Sequence, residues 1–342
     1  DGLNLSQLPK GLIDFHLYNE PQMPLVEHLK EAMNYASKDG VARAHFTVSP
    51  EHLEGFEKAI GQWVSRPPFD SIDWDITFSH QLKRTDTIAV NANNEPVFEN
   101  GEVVTRPGGH GALIHNLNDL NADLIFIKNI DNVAHDRMLN DTVMYKKALA
   151  GKLLELRDDM MTLNVSLEKG LLDENQIQNL RDKWKIRIPK GYKQLKSYLK
   201  RPIRVCGMVK NEGEPGGGPF WTTDNYIGES LQIVEQAQID SSNSRQKNIL
   251  KSSTHFNPVD SVCLTKDLKG NKIDLHDFVD DELYFVASKS RNGLDVKALE
   301  WPGLWNGAMA NWITIFVEVP IETFNPVKEF SDLLRPEHLK KG

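Results

Sequence analysis

Cysteine is almost missing from this chain: 342 residues hold two, Cys206 and Cys263, and no CxxC. Each sits in an apolar strand-like run, RVCGMV and SVCLT. A disulfide framework is thereby excluded, and the reducing cytoplasm is the expected compartment. Positive charge is in deficit too, with 40 Lys and Arg against 48 Asp and Glu and a net charge of −8. No basic footprint for nucleic acid is implied. No apolar run approaches the roughly 18 residues of a membrane span, and no signal peptide is visible, so no membrane partner is expected. The motifs of covalent and zinc-hydrolase catalysis are missing: no GxSxG, no Cys–His pairing and no HExxH. The eleven histidines are scattered without ligand spacing, which argues against zinc. An initiating Met is missing as well, and DGLNLSQLPKG reads as the middle of a protein.

What is present is ordinary in bulk and specific in detail. At 39% hydrophobic and 26% charged the composition is that of a globular protein with ample core. Strand and helix signals alternate at first. PLVEHLKEAMNYASK (24–38) places Leu25, Leu29, Ala32, Met33 and Ala36 on one helical face. ARAHFTV (42–48) reads as a strand, EHLEGFEKAIGQW (51–63) as a helix and DWDITFSHQ (73–81) as a strand. GGHGALIHNLND then opens a helix before the strand ADLIFIKNID. The alternation predicts βαβ units and a mostly parallel sheet, with LIFI, apolar on both faces, as a central parallel strand. Residues 136–200, rich in Leu, Met, Lys, Asp and Glu, predict a long helix and a second one capped by Asp173. Strands return from 201 onward. The expected organisation is an α/β core over 1–135, a helical insertion over 136–200 and the remainder of the core over 201–342.

Asp131 is the first candidate site residue. It follows the LIFI strand between Ile130 and Asn132, and ligands in open α/β sheets bind beyond the carboxyl ends of strands. A Mg²⁺ ion takes one or two carboxylates plus phosphate oxygens, and Asp131 supplies one. Gly108, Gly109 and Gly111 let the backbone approach a flat or anionic ligand just ahead of a helix start. Together these features suit a nucleotide-bearing substrate. GEPGGGPF (213–220) demands a close-approach loop, because three consecutive glycines are costly in conformational entropy.

The segments ITFSHQ, DTIAV, GEVVTRPGGHGALIHNL and ADLIFIKNIDNV resemble the UDP-sugar pyrophosphorylases. LPKGLIDFH (8–16) resembles the Pro-Lys-x-Leu-Leu element of sugar nucleotidyltransferases, SLQIVEQAQI (230–239) their sugar-contacting strand, and ETFNPVKEF (322–330) their Glu-Phe-Ser-Pro-Leu-Lys-Asn segment. Longer phrases, among them HFTVSPEH, RVCGMVKNEGEPGGGPF, THFNPVD and WPGLWNGAM, resemble a bacterial domain-of-unknown-function family remote from those enzymes. The resemblance implies a nucleotidyltransferase-like (GT-A, Rossmann-like) fold and transfer between a nucleoside triphosphate and a sugar 1-phosphate. It implies roles residue by residue. Lys10 and Lys328 would meet phosphate and Asp131 would hold Mg²⁺. Gln81, Gly108, Gly109, His110 and Gly111 would meet the nucleotide. Glu235 and Asn257 would meet the sugar, and Glu214 and Gly217, in the glycine-rich turn, are placed beside them as ligand-contacting candidates.

In the pyrophosphorylases a Gly-rich, Arg-containing loop after the first strand precedes the Pro-Lys element. Nothing in residues 1–8 matches that loop, so the first strand and nucleotide loop are expected to be missing. Two other readings stay open: a sugar-nucleotide or phosphate binding protein without turnover, and a carbohydrate-active enzyme using Glu214, Glu235 and Asp131 as acid and base.

Overall fold

The structure is a computed structural model that describes residues 8–211, 217–224, 227–257, 259–291 and 294–340. In chain order, α1 (Pro24–Tyr35) is followed by β1 (Val41–Thr47), α2 (Leu53–Val64) and β2 (Asp73–Ser79). Two short strands, β3 (Thr87–Val90) and β4 (Thr105–Arg106), lead to α3 (Ile114–Asp119) and β5 (Ile125–Lys128). Three helices follow: α4 (Leu139–Glu168), α5 (Glu174–Trp184) and α6 (Tyr192–Tyr198). Then come β6 (Ile203–Lys210), β7 (Gly217–Asp224), β8 (Gly228–Glu235), α7 (Ser244–Lys251), β9 (His255–Phe256) and β10 (Asp260–Leu264). The last long strands are β11 (Phe285–Arg291), β12 (Leu294–Glu300) and β13 (Ile313–Glu318).

The sheets overturn the expectation of a mostly parallel, Rossmann-like arrangement. The central sheet runs β5–β10–β6, with both pairings antiparallel, and β13 lies parallel to β6. A second sheet, β11–β12–β3–β4, is antiparallel, and so is the β7–β8 ribbon. Among the described strands only β1–β2 and β6–β13 pair in parallel. The βαβ pattern is thus real for β1–α2–β2 and does not extend to the rest. The LIFI run misled for a physical reason. Leu124 and Phe126 pack into one hydrophobic cluster and Ile125 and Ile127 into another, so the strand is apolar on both faces. Two-sided burial dictates that pattern, and it does so whichever way the neighbouring strand runs.

The larger cluster is built on α4. Leu149, Leu153, Leu156, Met160, Leu163 and Leu167 recur every three or four residues and are all fully buried. That stripe lies against Val205 of β6 and Val262 of β10, and each such side chain contributes roughly 1.5–3 kcal/mol on burial. The Asp173 side chain accepts from the Asn175 backbone N–H and caps α5, whose Ile177 and Leu180 join the same cluster. On the opposite face Trp312, Met309, Leu304 and Ile114 close over Cys263. Both cysteines are buried and free.

Strand direction fixes where a site can sit. Strands β5 and β6 both oppose β10, and β13 follows β6, so all three end at one edge of the sheet. Beneath that edge lies a layer of buried ion pairs. Lys128 Nζ donates to Glu31 Oε1 at 2.5 Å, Tyr35 donates to Glu31 Oε2 at 2.7 Å, and Lys146 pairs with Asp260. Pairing and hydrogen bonds offset the cost of burying these charges, and they fix α1 and α4 against the sheet.

Candidate functional site

Three residues far apart in sequence meet just beyond that edge. Lys10 Nζ donates to Asp131 Oδ2 at 2.8 Å and to the Val327 carbonyl at 2.7 Å. Lys328 Nζ donates to the same Oδ2 at 3.1 Å. The backbone holds this meeting in place. The Val327 N–H donates to the Asp131 carbonyl, and the Asn325 N–H donates to Asn132 Oδ1. Gly11 brings Lys10 close: a Cβ there would stand 2.9 Å from the Phe56 ring and 3.1 Å from Ile130. His28 Nε2 donates to the Ile130 carbonyl at 3.1 Å, and burial pushes that imidazole down to about 4, which keeps it neutral.

Asp131 is 7% exposed, yet Oδ1 has no hydrogen-bond partner among the described residues. Such an oxygen is a hard donor of the kind a Mg²⁺ ion accepts. No group of three metal-ligating side chains surrounds it among the described residues. The donor set therefore fits a cation held mostly by a ligand's own phosphates, and does not fit an all-protein cage. Two ammonium groups around one carboxylate leave the cluster with an excess positive charge, suited to an anion.

A second constellation gathers around His110. The Leu304 N–H donates to His110 Nδ1 at 3.0 Å, which assigns the proton of a neutral ring to Nε2. That nitrogen lies 3.7 Å from Glu235 Oε1, and the ring stacks on Trp305 at 5.8 Å between centroids. Burial raises the Glu235 carboxyl above its ordinary value; His110 pulls it down and the charge of Glu300 pushes it up. Gln238 and Asn306 complete the wall: Gln238 Oε1 accepts from the Glu235 N–H and from Asn306 Nδ2. Sequence reasoning missed Glu300, Trp305, Asn306 and Gln238. Most stand in or beside the WPGLWNGAM phrase, which signalled kinship without pointing to His110.

The glycines ahead of this site have an internal reason to be glycine. A Cβ at Gly108 would overlap Trp301, and one at Gly111 would overlap the Pro302 carbonyl. Gly109 has φ 76°, and a Cβ there would stand 2.7 Å from Glu300. The turn is pressed onto residues 300–302, tied by the Trp301 N–H to the Gly108 carbonyl. Gln81 follows β2 with its Nε2 buried and unpartnered among the described residues.

Asn257 is spent on the backbone. Its Nδ2 donates to the Gly207 carbonyl at 2.7 Å and its Oδ1 accepts from the Val259 N–H at 3.1 Å. It bridges the break between β9 and β10, where Val259 adopts φ 50°. Gly217 pairs with Glu235 across the β7–β8 ribbon and accepts from the Asn257 N–H. Glu214 lies outside the described residues. The candidates thus fall into a lysine–aspartate cluster and a His110–Glu235 cluster, with Asn257 and Gly217 bracing the second.

A family model described as Domain of unknown function (DUF4301) matches residues 1–339. The chain belongs to the DUF4301 family. Among curated proteins none matches this DUF4301 chain by sequence. Among solved structures it bears a remote resemblance to UDP-glucose pyrophosphorylase from Leishmania major in complex with UDP-glucose, at 15% identity and TM-score 0.48. That match covers 95% of this chain and 61% of the other. UDP-glucose phosphorylase from Trypanosoma brucei is similar at 16% identity and TM-score 0.49, over 95% of this chain and 60% of that one. The DUF4301 chain therefore spans about three fifths of the length of these structures. No helix among its described residues is long and apolar enough to cross a membrane.

Proposed function

We propose that this chain carries the phosphate-handling part of a sugar-1-phosphate nucleotidyltransferase-like protein. One observation carries the reading: Lys10, Asp131 and Lys328, 121 and 197 residues apart, converge on a single carboxylate oxygen. The motif resemblance of the segments around them supports it. In the proposed reaction a sugar 1-phosphate oxygen attacks the α-phosphorus of a nucleoside triphosphate. The bond to the bridging α–β oxygen breaks, and pyrophosphate leaves with that electron pair. Lys10 and Lys328 would offset the charge that builds on the phosphate oxygens, in a geometry fixed before substrate arrives. Asp131, through the Oδ1 that has no partner among the described residues, would hold Mg²⁺, which would supply neutralising charge to the phosphates. His110 and Trp305 would offer a flat wall, and Glu235 an acceptor for hydroxyl groups.

Pyrophosphate release tests this. The chain is mixed with Mg²⁺, a nucleoside triphosphate and a panel of sugar 1-phosphates. Any release by the chain should fall at least 100-fold in Lys10→Met. Equal release by wild type and variant would remove Lys10 from the reaction. A second reading, acid–base work on a sugar, rests on the raised Glu235 carboxyl beside Glu300. It predicts glycoside cleavage that needs no nucleotide, measured on chromogenic sugars.

A further inference from the structure

A separate cleft of about 700 Å³ lies between the α5–α6 connection and the β7–β8 ribbon. Its charge runs against that of the chain. Arg181, Lys185, Arg187 and Lys190 line it, with Asp182 the one carboxylate among the described lining residues, in a protein of net charge −8. Local structure aims these cations outward. Helix α5 ends at Lys185, which takes the left-handed conformation with φ 55°. The chain then alternates: Ile186 and Ile188 are buried in the α4 cluster, while Lys185 and Arg187 are exposed.

Some of these charges are already engaged. The Arg181 guanidinium donates to the Ile188 carbonyl, Arg187 pairs with Glu229 at 3.3 Å, and Gln178 donates to Asp182. Lys185 and Lys190 have no acidic partner among the described residues. Trp221 of β7 forms a wall of the same cleft; it is 51% exposed, with the Arg187 guanidinium 5.5 Å from its ring centroid. An exposed indole backed by a guanidinium is a stacking platform for a planar ring.

We infer that this cleft binds a small polyanion carrying a planar ring, that is, a nucleoside di- or triphosphate, at a site separate from the Lys10–Asp131–Lys328 cluster. The volume falls within the roughly 300–1,000 Å³ of small-molecule sites, which favours a single nucleotide over a nucleic acid or an acidic peptide. Lys185 and Lys190 would meet the phosphates, and Trp221 with Arg187 the ring. The inference stands apart from the proposed transfer reaction, since no residue is shared.

Photolabelling of the 342-residue chain with 8-azido-ATP, followed by peptide mapping, tests it. Label is expected on the peptides holding residues 181–194 or Trp221, and both ATP and inorganic tripolyphosphate should compete it away. Lys185→Glu with Lys190→Glu should cut that label at least tenfold, and Trp221→Leu should weaken ATP competition but not tripolyphosphate competition. Lys190→Glu alone, at an exposed position, serves where the double variant fails to fold. Label confined to other peptides, or unchanged label in the charge-reversed variants, overturns the inference. So does competition by adenosine with none by tripolyphosphate.

Discussion

At the residue scale the two oxygens of Asp131 do different work. Oδ2 anchors Lys10 and Lys328, and Oδ1 is buried with no partner among the described residues. Both lysines retain solvent contact, so their pairing with Asp131 adds little to folding, about 1 kcal/mol or less. Asp131→Asn keeps the shape and removes the charge. Its melting temperature should therefore stay within about 3 °C of wild type in thermal denaturation, while any Mg²⁺-dependent shift caused by nucleoside triphosphate disappears. A collapse of the ligand-free variant would make Asp131 a structural residue. Asn257 is the opposite case. Buried to 2% and bonded at both ends to backbone, it leaves two unsatisfied groups when cut to Ala. Asn257→Ala should cost about 2 to 3 kcal/mol in urea denaturation. Unchanged stability with lost ligand binding would return it to the sugar role that its motif implies. The sequence made both residues visible, but it held no sign of their long-range partners, because Lys10 and Lys328 stand more than 100 positions from Asp131 and Gly207 stands 50 from Asn257.

Elements explain what was legible and what was not. Helix α4 was legible because its leucine stripe is a local pattern, and the cap of α5 because Asp173 acts on its own helix. Strand direction was not, because β5 finds its partner in β10, more than 130 residues later, and no local pattern encodes that choice. The short helical turn Pro336–His338 is a further element that sequence alone did not mark. There His338 Nδ1 lies 2.9 Å from His16 Nε2, and His16 Nδ1 lies 2.9 Å from Glu27 Oε1. Burial, then the charges of His16 and Arg335, push His338 down to about 4 against a small opposing pull from Asp332. The unfolded chain, with an ordinary histidine near 6.5, binds more protons than the folded one between about pH 6.5 and 4. Stability present above pH 6.5 should therefore fall as the pH drops through that window. His28, also near 4, acts in the same direction. Urea midpoints taken from pH 7.5 to 4.5 should decline, and His338→Gln should flatten the slope. A midpoint that rises on acidification would contradict the assignment.

For the whole molecule, the central sheet decides where chemistry is possible. Three strands end at one edge, a layer of buried ion pairs stiffens it, and the chain returns after β13 to bring Lys328 back to Asp131. The motifs were legible because each is short and contiguous; their meeting was not, because it depends on a sheet whose direction the pattern did not reveal. The central claim is that this meeting point grips phosphate. Isothermal titration calorimetry of UTP in the presence of Mg²⁺ tests it most directly, comparing the chain with the double variant Lys10→Met, Lys328→Met, both proteins carrying Lys185→Glu and Lys190→Glu so that the α5–α6 cleft contributes no binding. Removing two ammonium groups from one phosphate site should weaken binding by at least 100-fold, about 2.7 kcal/mol. Equal affinity in the two proteins would contradict the account.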